Sequence, residues 1–221
     1  MQLSDLEKID KKRMFETYDK WPEIAKDGFD NYSEKFDAKG IDHIVFSGMG
    51  GSGSIGDVIS AILSKEDIHV SNVKGYHLPK TVDSNSLVVS TSVSGNTRET
   101  LAVLEKAQKT DAKIAVFSSG GMIQKFSKTN NLFFQKIPMI HSPRASFTQF
   151  LFSILNILKE IIPIKKIDVE EAISSLEITK NNIFSTNLTE ENTALKLAEW
   201  IKEIPLIYYP WGLQSAATRF K

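Results

Sequence analysis

Apolar positions along the chain switch between two periods. From residue 3 to 20, Leu3, Leu6, Ile9, Met14 and Phe15 recur near helical spacing with charges between them, which predicts a helix. Trp21-Pro22 interrupts that pattern, because a residue before proline avoids the α region. A second helix is predicted from Glu23 to Phe36, with proline near its first turn and Lys39-Gly40 closing it. Short β-branched runs follow. His43–Phe46, Ile68–Val73, Leu87–Thr91, Lys113–Phe117 and Leu132–Ile137 read as five strands. Between them, Gly53–Leu63 places Ile55, Val58, Ile59, Ile62 and Leu63 on one helical face, with Ser54 as a cap and Asp57 in the first turn. Asn96 followed by Glu99 fits the start of another helix, ending near Lys109. Residues 75–86 and 118–121 are rich in turn formers. Strands alternating with helices of this length predict an α/β fold. It is a right-handed, doubly wound parallel sheet in a flavodoxin/Rossmann-like three-layer sandwich, with extra N- and C-terminal helices.

The remainder reads as a loop, Pro138–Pro143, then an apolar helix over 145–162 and helical segments over 168–184 and 189–203. Ile204–Tyr209 reads as a new strand and Leu213–Phe220 as a helix behind it. The expected organisation is N-terminal helices over 1–38, one α/β domain over 39–162, a helical connection over 163–203, and the start of a second, incomplete α/β domain over 204–221. The most apolar stretch, Phe147–Ile164, is broken by Lys159, Glu160 and Pro163. It is shorter than the roughly 18–20 uninterrupted apolar residues of a membrane helix.

Two junctions carry candidate chemistry. Phe46-Ser-Gly-Met-Gly-Gly-Ser-Gly-Ser-Ile-Gly56 and Ser90-Thr-Ser-Val-Ser-Gly-Asn-Thr-Arg-Glu-Thr100 each run from strand through tight turn into helix. The first lets backbone approach a ligand closely. The second presents Ser92, Ser94 and Thr97 along one short turn. Helix N-termini favour anions, and two such turns at the carboxyl ends of neighbouring parallel strands face one crevice. The expectation is a phosphate site with two walls.

Charge narrows the partners. Lys+Arg and Asp+Glu balance at 27 each, so no global field points to nucleic acid or a membrane surface. The basic cluster Lys8, Lys11, Lys12 and Arg13 lies among acids and reads as a solvated helix face. With no cysteine, disulfides, thiolate catalysis and cysteine-bound metal are excluded. The N-terminus lacks the basic and apolar regions of a signal peptide, so a cytoplasmic protein is expected.

Gly48-Met-Gly-Gly-Ser-Gly53, Ser92-Val-Ser-Gly-Asn-Thr-Arg-Glu-Thr100 and Ser142-Pro-Arg-Ala145, in this order, resemble the sugar isomerase (SIS) domain. More narrowly they resemble the archaeal-type bifunctional phosphoglucose/phosphomannose isomerase family, across about residues 1–221 in element order. The resemblance implies two SIS domains per chain, a homodimer, and interconversion of aldose and ketose 6-phosphates with no metal or nucleotide cofactor. It implies that Gly50, Gly51 and Ser52 lie at the sugar, that Ser92, Ser94, Gly95 and Thr97 hold the phosphate, and that Arg144 stabilises an enediolate. The family's glutamate base lies in a segment resembling Lys-Asn-x-x-Asn-Glu, with a histidine and a lysine further on. No stretch up to Lys221 matches it. The expectation is a phosphosugar-binding half that lacks its base.

Other readings remain. Gly51-Ser-Gly-Ser-Ile-Gly56 fits G-x-G-x-x-G, but Asn72, Val73, Lys74 and Gly75 stand where a dinucleotide fold wants an acid. A non-catalytic SIS module that binds a phosphosugar as a signal is the other. Glu99 reads as a cap rather than a base, and His43 and His69 as structural. Of the loop histidines His77 and His141, the second lies three residues before Arg144 and is the better site candidate. Arg144 itself has an alternative role, pairing with a carboxylate near the apolar helix.

Overall fold

The computed structural model describes residues 2–32, 34–36 and 38–220. Its centre is a five-stranded, all-parallel sheet of β1 (His43–Ser47), β2 (His69–Val73), β3 (Ser86–Ser92), β4 (Lys113–Ser118) and β5 (Phe133–Lys136), in the order β2-β1-β3-β4-β5. That is the flavodoxin-like winding, which reverses direction between β1 and β3. Both strands at the reversal are buried along their whole length. This explains why they read as continuous apolar runs rather than alternating ones.

The alternation is still present, and it sorts the side chains between two cores. Ile44, Phe46, Leu87, Val89, Ala115 and Phe117 face α3 (Trp21–Asp30), α4 (Gly50–Ile62) and α7 (Phe147–Ile157). Val45, Val88, Ile114 and Val116 face α5 (Arg98–Ala107) and α6 (Gly121–Thr129) through Leu104, Ala107 and Ile123. Every residue of α7 is buried, as its all-round apolar sequence requires. It lies against α3 so closely that a Cβ on Gly28 would come 2.9 Å from the Gln149 carbonyl oxygen.

Several expected boundaries move. The single helix over 3–20 is two, α1 (Leu3–Ile9) and α2 (Met14–Asp19), because Arg13 takes a left-handed φ of 53° and its guanidinium bridges Glu7 and Glu16. The next helix begins at Trp21 and stops at Asp30, short of Phe36. Beyond it, the Tyr32 carbonyl accepts from Asn156 Nδ2 and the Phe36 N–H donates to the Ile157 carbonyl. Those backbone groups are thus satisfied by α7 and do not extend the helix. Ser33, inside the expected span, lies outside the described residues.

The C-terminal segments form α8 (Lys166–Ile183), α9 (Thr193–Trp200) and α10 (Gln214–Phe220). The strand expected over 204–209 is absent among the described residues. Ile204, Leu206 and Tyr208 are 93%, 80% and 89% exposed, and with no neighbouring strand there is no ladder to join. Helix α6 was not marked by the sequence pattern. Among the described residues no helix is long and apolar enough to cross a membrane.

Candidate functional site

The sheet reversal places the turns after β1 and β3 side by side, and their hydrogen bonds join them. The Val93 N–H, in the second turn, donates to Ser52 Oγ in the first turn of α4 at 3.4 Å. Gly48 makes the approach possible. A Cβ there would sit 2.9 Å from the Ser52 carbonyl carbon and 3.0 Å from the Thr91 carbonyl oxygen. Helix α4 starts at Gly50, with a φ of 54°, earlier than the Gly53 expected from the sequence. Ser54 is therefore no cap; its hydroxyl donates back to the Gly50 carbonyl at 3.2 Å. Asp57 is buried and pairs with Lys74 Nζ at 2.5 Å, tying α4 to the end of β2. Lys74 thus stands, already neutralised, where a dinucleotide fold would present an acid to the ribose.

The second turn is organised around Ser92. Its buried hydroxyl accepts from the Gly95 N–H at 3.1 Å and shares a 2.9 Å hydrogen bond with the Thr97 hydroxyl. Ser94 is exposed, and its Oγ accepts from the Asn96 N–H at 3.3 Å, leaving its own proton to donate outward. Gly95 has a φ of 70° and backs onto the Gly120-Gly121 turn. The expected cap at Asn96 is corrected. Thr97 is the residue before α5, Glu99 lies in its first turn, and Asn96 Oδ1 instead accepts from the Met122 N–H of α6 at 3.1 Å. The first N–H groups of α4 and α5 lack intrahelical partners, so this end of the sheet offers anion-binding donors on both turns.

The third side comes from the loop before α7. The Pro143 carbonyl oxygen lies 3.6 Å from where a Cβ on Gly51 would be. Arg144 is exposed, and its Nη2 donates to the Arg219 carbonyl at 3.2 Å. In return Arg219 Nη2 donates to the Arg144 carbonyl at 3.1 Å. The Arg219 guanidinium lies over the rings of Phe147 and Trp21, 4.2 and 5.5 Å from their centroids. Burial, with the charge of Arg144 adding to it, pushes the Arg219 pKa below its ordinary value. Arg219 went unmarked in the sequence. The available signal was its i,i+4 spacing from Ser215, whose hydroxyl docks α10 on the Ser54 carbonyl at 3.0 Å.

His141 is held elsewhere, with Nε2 at 2.8 Å from the Lys12 carbonyl. His43 and His69 lie at the other end of the strands, bridged by the Ser71 hydroxyl. A separate cavity of about 470 Å3, lined among others by Tyr18, Trp21, Leu176 and Leu195, is mostly apolar. Its cation, Lys180, is paired with Glu23 and Glu177, so it does not suit a phosphate. Among the described residues no group of three or more His, Asp or Glu side chains could hold a metal ion.

The two turns of this doubly wound α/β domain lie side by side at its switch point, where helix N-termini favour an anion, and the loop that carries Arg144 borders the first of them. Comparison with known families makes this specific: residues 39–144 match the SIS domain, a span that contains both turns and ends on Arg144. A bifunctional phosphoglucose/phosphomannose isomerase of Thermoplasma acidophilum is 34% identical over 180 residues, covering 81% of this chain and 53% of that protein. One from Caldicellulosiruptor bescii is 32% identical over 203 residues, covering 88% and 60%. The chain therefore spans a little over half the length of these relatives. Among solved structures, tagatose-6-phosphate ketose/aldose isomerase from Escherichia coli has the same fold, with a TM-score of 0.53 at 18% identity over 80% of this chain and 51% of that one.

Proposed function

We propose that this chain binds a phosphorylated hexose and forms the phosphosugar-binding part of an isomerase that interconverts glucose or mannose 6-phosphate with fructose 6-phosphate. The observation that carries the reading is the joined pair of turns, Ser52 to Val93, with the loop that carries Arg144 touching the same glycine turn through the Pro143 carbonyl. The phosphate dianion sits at the second turn, receiving hydrogen bonds from Ser92, Ser94, Thr97 and the backbone around Gly95. The sugar extends along Gly50, Gly51 and Ser52. Aldose–ketose isomerisation moves a proton between C1 and C2 through an enediolate, and Arg144 stabilises the negative charge that develops on oxygen. The proton itself needs a positioned base. In the resembling family that base sits in a Lys-Asn-x-x-Asn-Glu segment, which no stretch of these 221 residues matches.

The expected behaviour is binding without turnover. Calorimetry with fructose 6-phosphate measures the first, and a coupled assay for glucose 6-phosphate measures the second. Appreciable turnover by the pure 221-residue protein would overturn the division of labour. Ser94→Ala should weaken fructose 6-phosphate binding about tenfold, the worth of one charge-assisted hydrogen bond, and barely alter binding of fructose. Equal losses for both sugars argue against a phosphate contact. The division of the chain after residues 38, 162 and 203 belongs to the same proposal, as do a homodimer and a cytoplasmic location. The exposed apolar run from Ile204 to Leu213 supports assembly, which sedimentation of the purified chain tests.

A further inference from the structure

The Arg219 guanidinium lies beside the glycine turn, and the motif does not account for it. We infer that Arg219 is a second anion-binding residue of the crevice, donating from Nη1 to the oxygen that gains negative charge at the carbonyl end of the sugar. This rests on the phosphosugar reading above. The placement follows from two contacts one helical turn apart on α10. Ser215 Oγ donates to the Ser54 carbonyl at 3.0 Å, and Arg219 Nη1 lies 3.4 Å from where a Cβ on Gly51 would be. Residues i and i+4 share a helix face, so α10 runs along α4 toward the start of that helix and delivers the guanidinium to the sugar end of the site.

The surroundings hold the charge without neutralising it. Arg219 is half-buried, stacked on Phe147 at 4.2 Å and near Trp21 at 5.5 Å. Its Nη2 is occupied by the Arg144 carbonyl. Among the described residues Nη1 has no hydrogen-bond partner, and no carboxylate forms an ion pair with the group. A guanidinium withdrawn from water is normally matched by an anion. Here Arg144 adds a like charge close by. An anion arriving at the glycine turn meets Arg219 Nη1 there, and the enediolate of the proposed reaction is such an anion. A purely structural Arg219 would only staple α10 to the loop before α7, and the two roles differ in what they do to ligand preference.

The probe is 5-phosphoarabinonate, whose carboxylate stands where the enediolate carries charge. Its affinity, with those of fructose 6-phosphate and inorganic phosphate, is measured by calorimetry on wild type, Arg219→Gln and Arg219→Lys, with thermal melts of each. Arg219→Gln should lose about tenfold for the phosphoaldonate and less than about twofold for the other two, as expected for one charge-assisted hydrogen bond. Arg219→Lys, which keeps the charge over the rings but not the planar fork, should lose about threefold for the phosphoaldonate alone. Equal losses for all three ligands, or none, overturn the inference. If Arg219→Gln does not fold, Arg219→Lys at the wild-type melting temperature decides it, and an unchanged phosphoaldonate affinity overturns it. Wild type that binds no phosphorylated ligand sinks the phosphosugar reading and this inference together. Wild type that binds them all, with both variants unchanged, sinks only the role of Arg219.

Discussion

Two glycines of the crevice should respond unequally to the same substitution. Gly95 has a φ of 70°, where an alanine costs about 1–2 kcal/mol in backbone strain alone. Its Cβ would overlap the Gly120 carbonyl oxygen and lie 2.8 Å from Ser118 Oγ. Neither atom can swing aside independently, because Ser118 Oγ donates to the Gly120 carbonyl and accepts from the Gly120 N–H. The 118–121 turn must move as a body. That breaks the bonds from the Ile123 N–H to the Gly95 carbonyl and from the Met122 N–H to Asn96 Oδ1, both near 3 Å. At about 1 kcal/mol each, these losses bring Gly95→Ala to about 3–4 kcal/mol with the strain included. That is a large share of the roughly 5–15 kcal/mol a domain possesses. Gly51 is the control. A Cβ there meets Arg219 Nη1 at 3.4 Å and the Pro143 carbonyl oxygen at 3.6 Å, the edge of ordinary contact. Gly51→Ala should stay within about 1 kcal/mol of wild type, since alanine also favours the helix. Urea unfolding followed by circular dichroism gives both numbers, with the midpoint falling for Gly95→Ala at constant slope. A Gly95→Ala midpoint equal to wild type, or equal losses for the two variants, refutes the packing argument.

Further outcomes follow from other buried polar groups. Lys74→Met leaves Asp57, whose side chain is 4% exposed, without its ion pair and with the Asn72 Nδ2 hydrogen bond at 3.3 Å, and should cost about 2–3 kcal/mol, less than for a fully buried pair because Lys74 is itself one-third exposed; an unchanged urea midpoint would remove this pair from the supports of α4. Ser90 and Ser47 are register partners in β3 and β1 whose buried hydroxyls have no hydrogen-bond partner among the described residues. Ser90→Ala should therefore raise stability by up to about 1 kcal/mol, and a lowered melting temperature would show that the hydroxyl is satisfied in solution. Burial first, and the neighbouring His69 second, lower the pKa of His43 below its ordinary value. Between that depressed value and about 6.5 the unfolded chain binds the proton more readily. Stability should thus fall as pH drops from 7 through this window. Melting curves against pH should show less of this slope in His43→Gln, and an unaltered slope assigns it to other groups.

Much of the architecture was legible because it is written in short-range periods. The strands, the buried helix over 147–157, and the two turns after β1 and β3 each depend on residues within a few positions of one another. The errors fell where distant contacts compete with local preference. Asn96 has the chemistry of a cap for α5, yet it serves α6, because the 118–121 turn lies against it in space. The sequence continues a helical pattern to Phe36, but the end of α7 takes the hydrogen bonds of the Tyr32 carbonyl and the Phe36 N–H. Ile204–Tyr209 is an apolar run like that of a strand, and such a run makes no strand without an edge to pair with.

The sequence by itself determined that two anion-favouring turns exist, and which residues compose them. Only the tertiary structure decided that they form one crevice, through the adjacency of β1 and β3 and the Ser52–Val93 bond. It also decided that Arg219 stands beside this crevice, since it reaches Gly51 by the docking of α10 on α4. The physical reason is common to both. Turn chemistry is local and readable residue by residue, whereas a binding site is a coincidence of side chains brought together by strand order and helix packing.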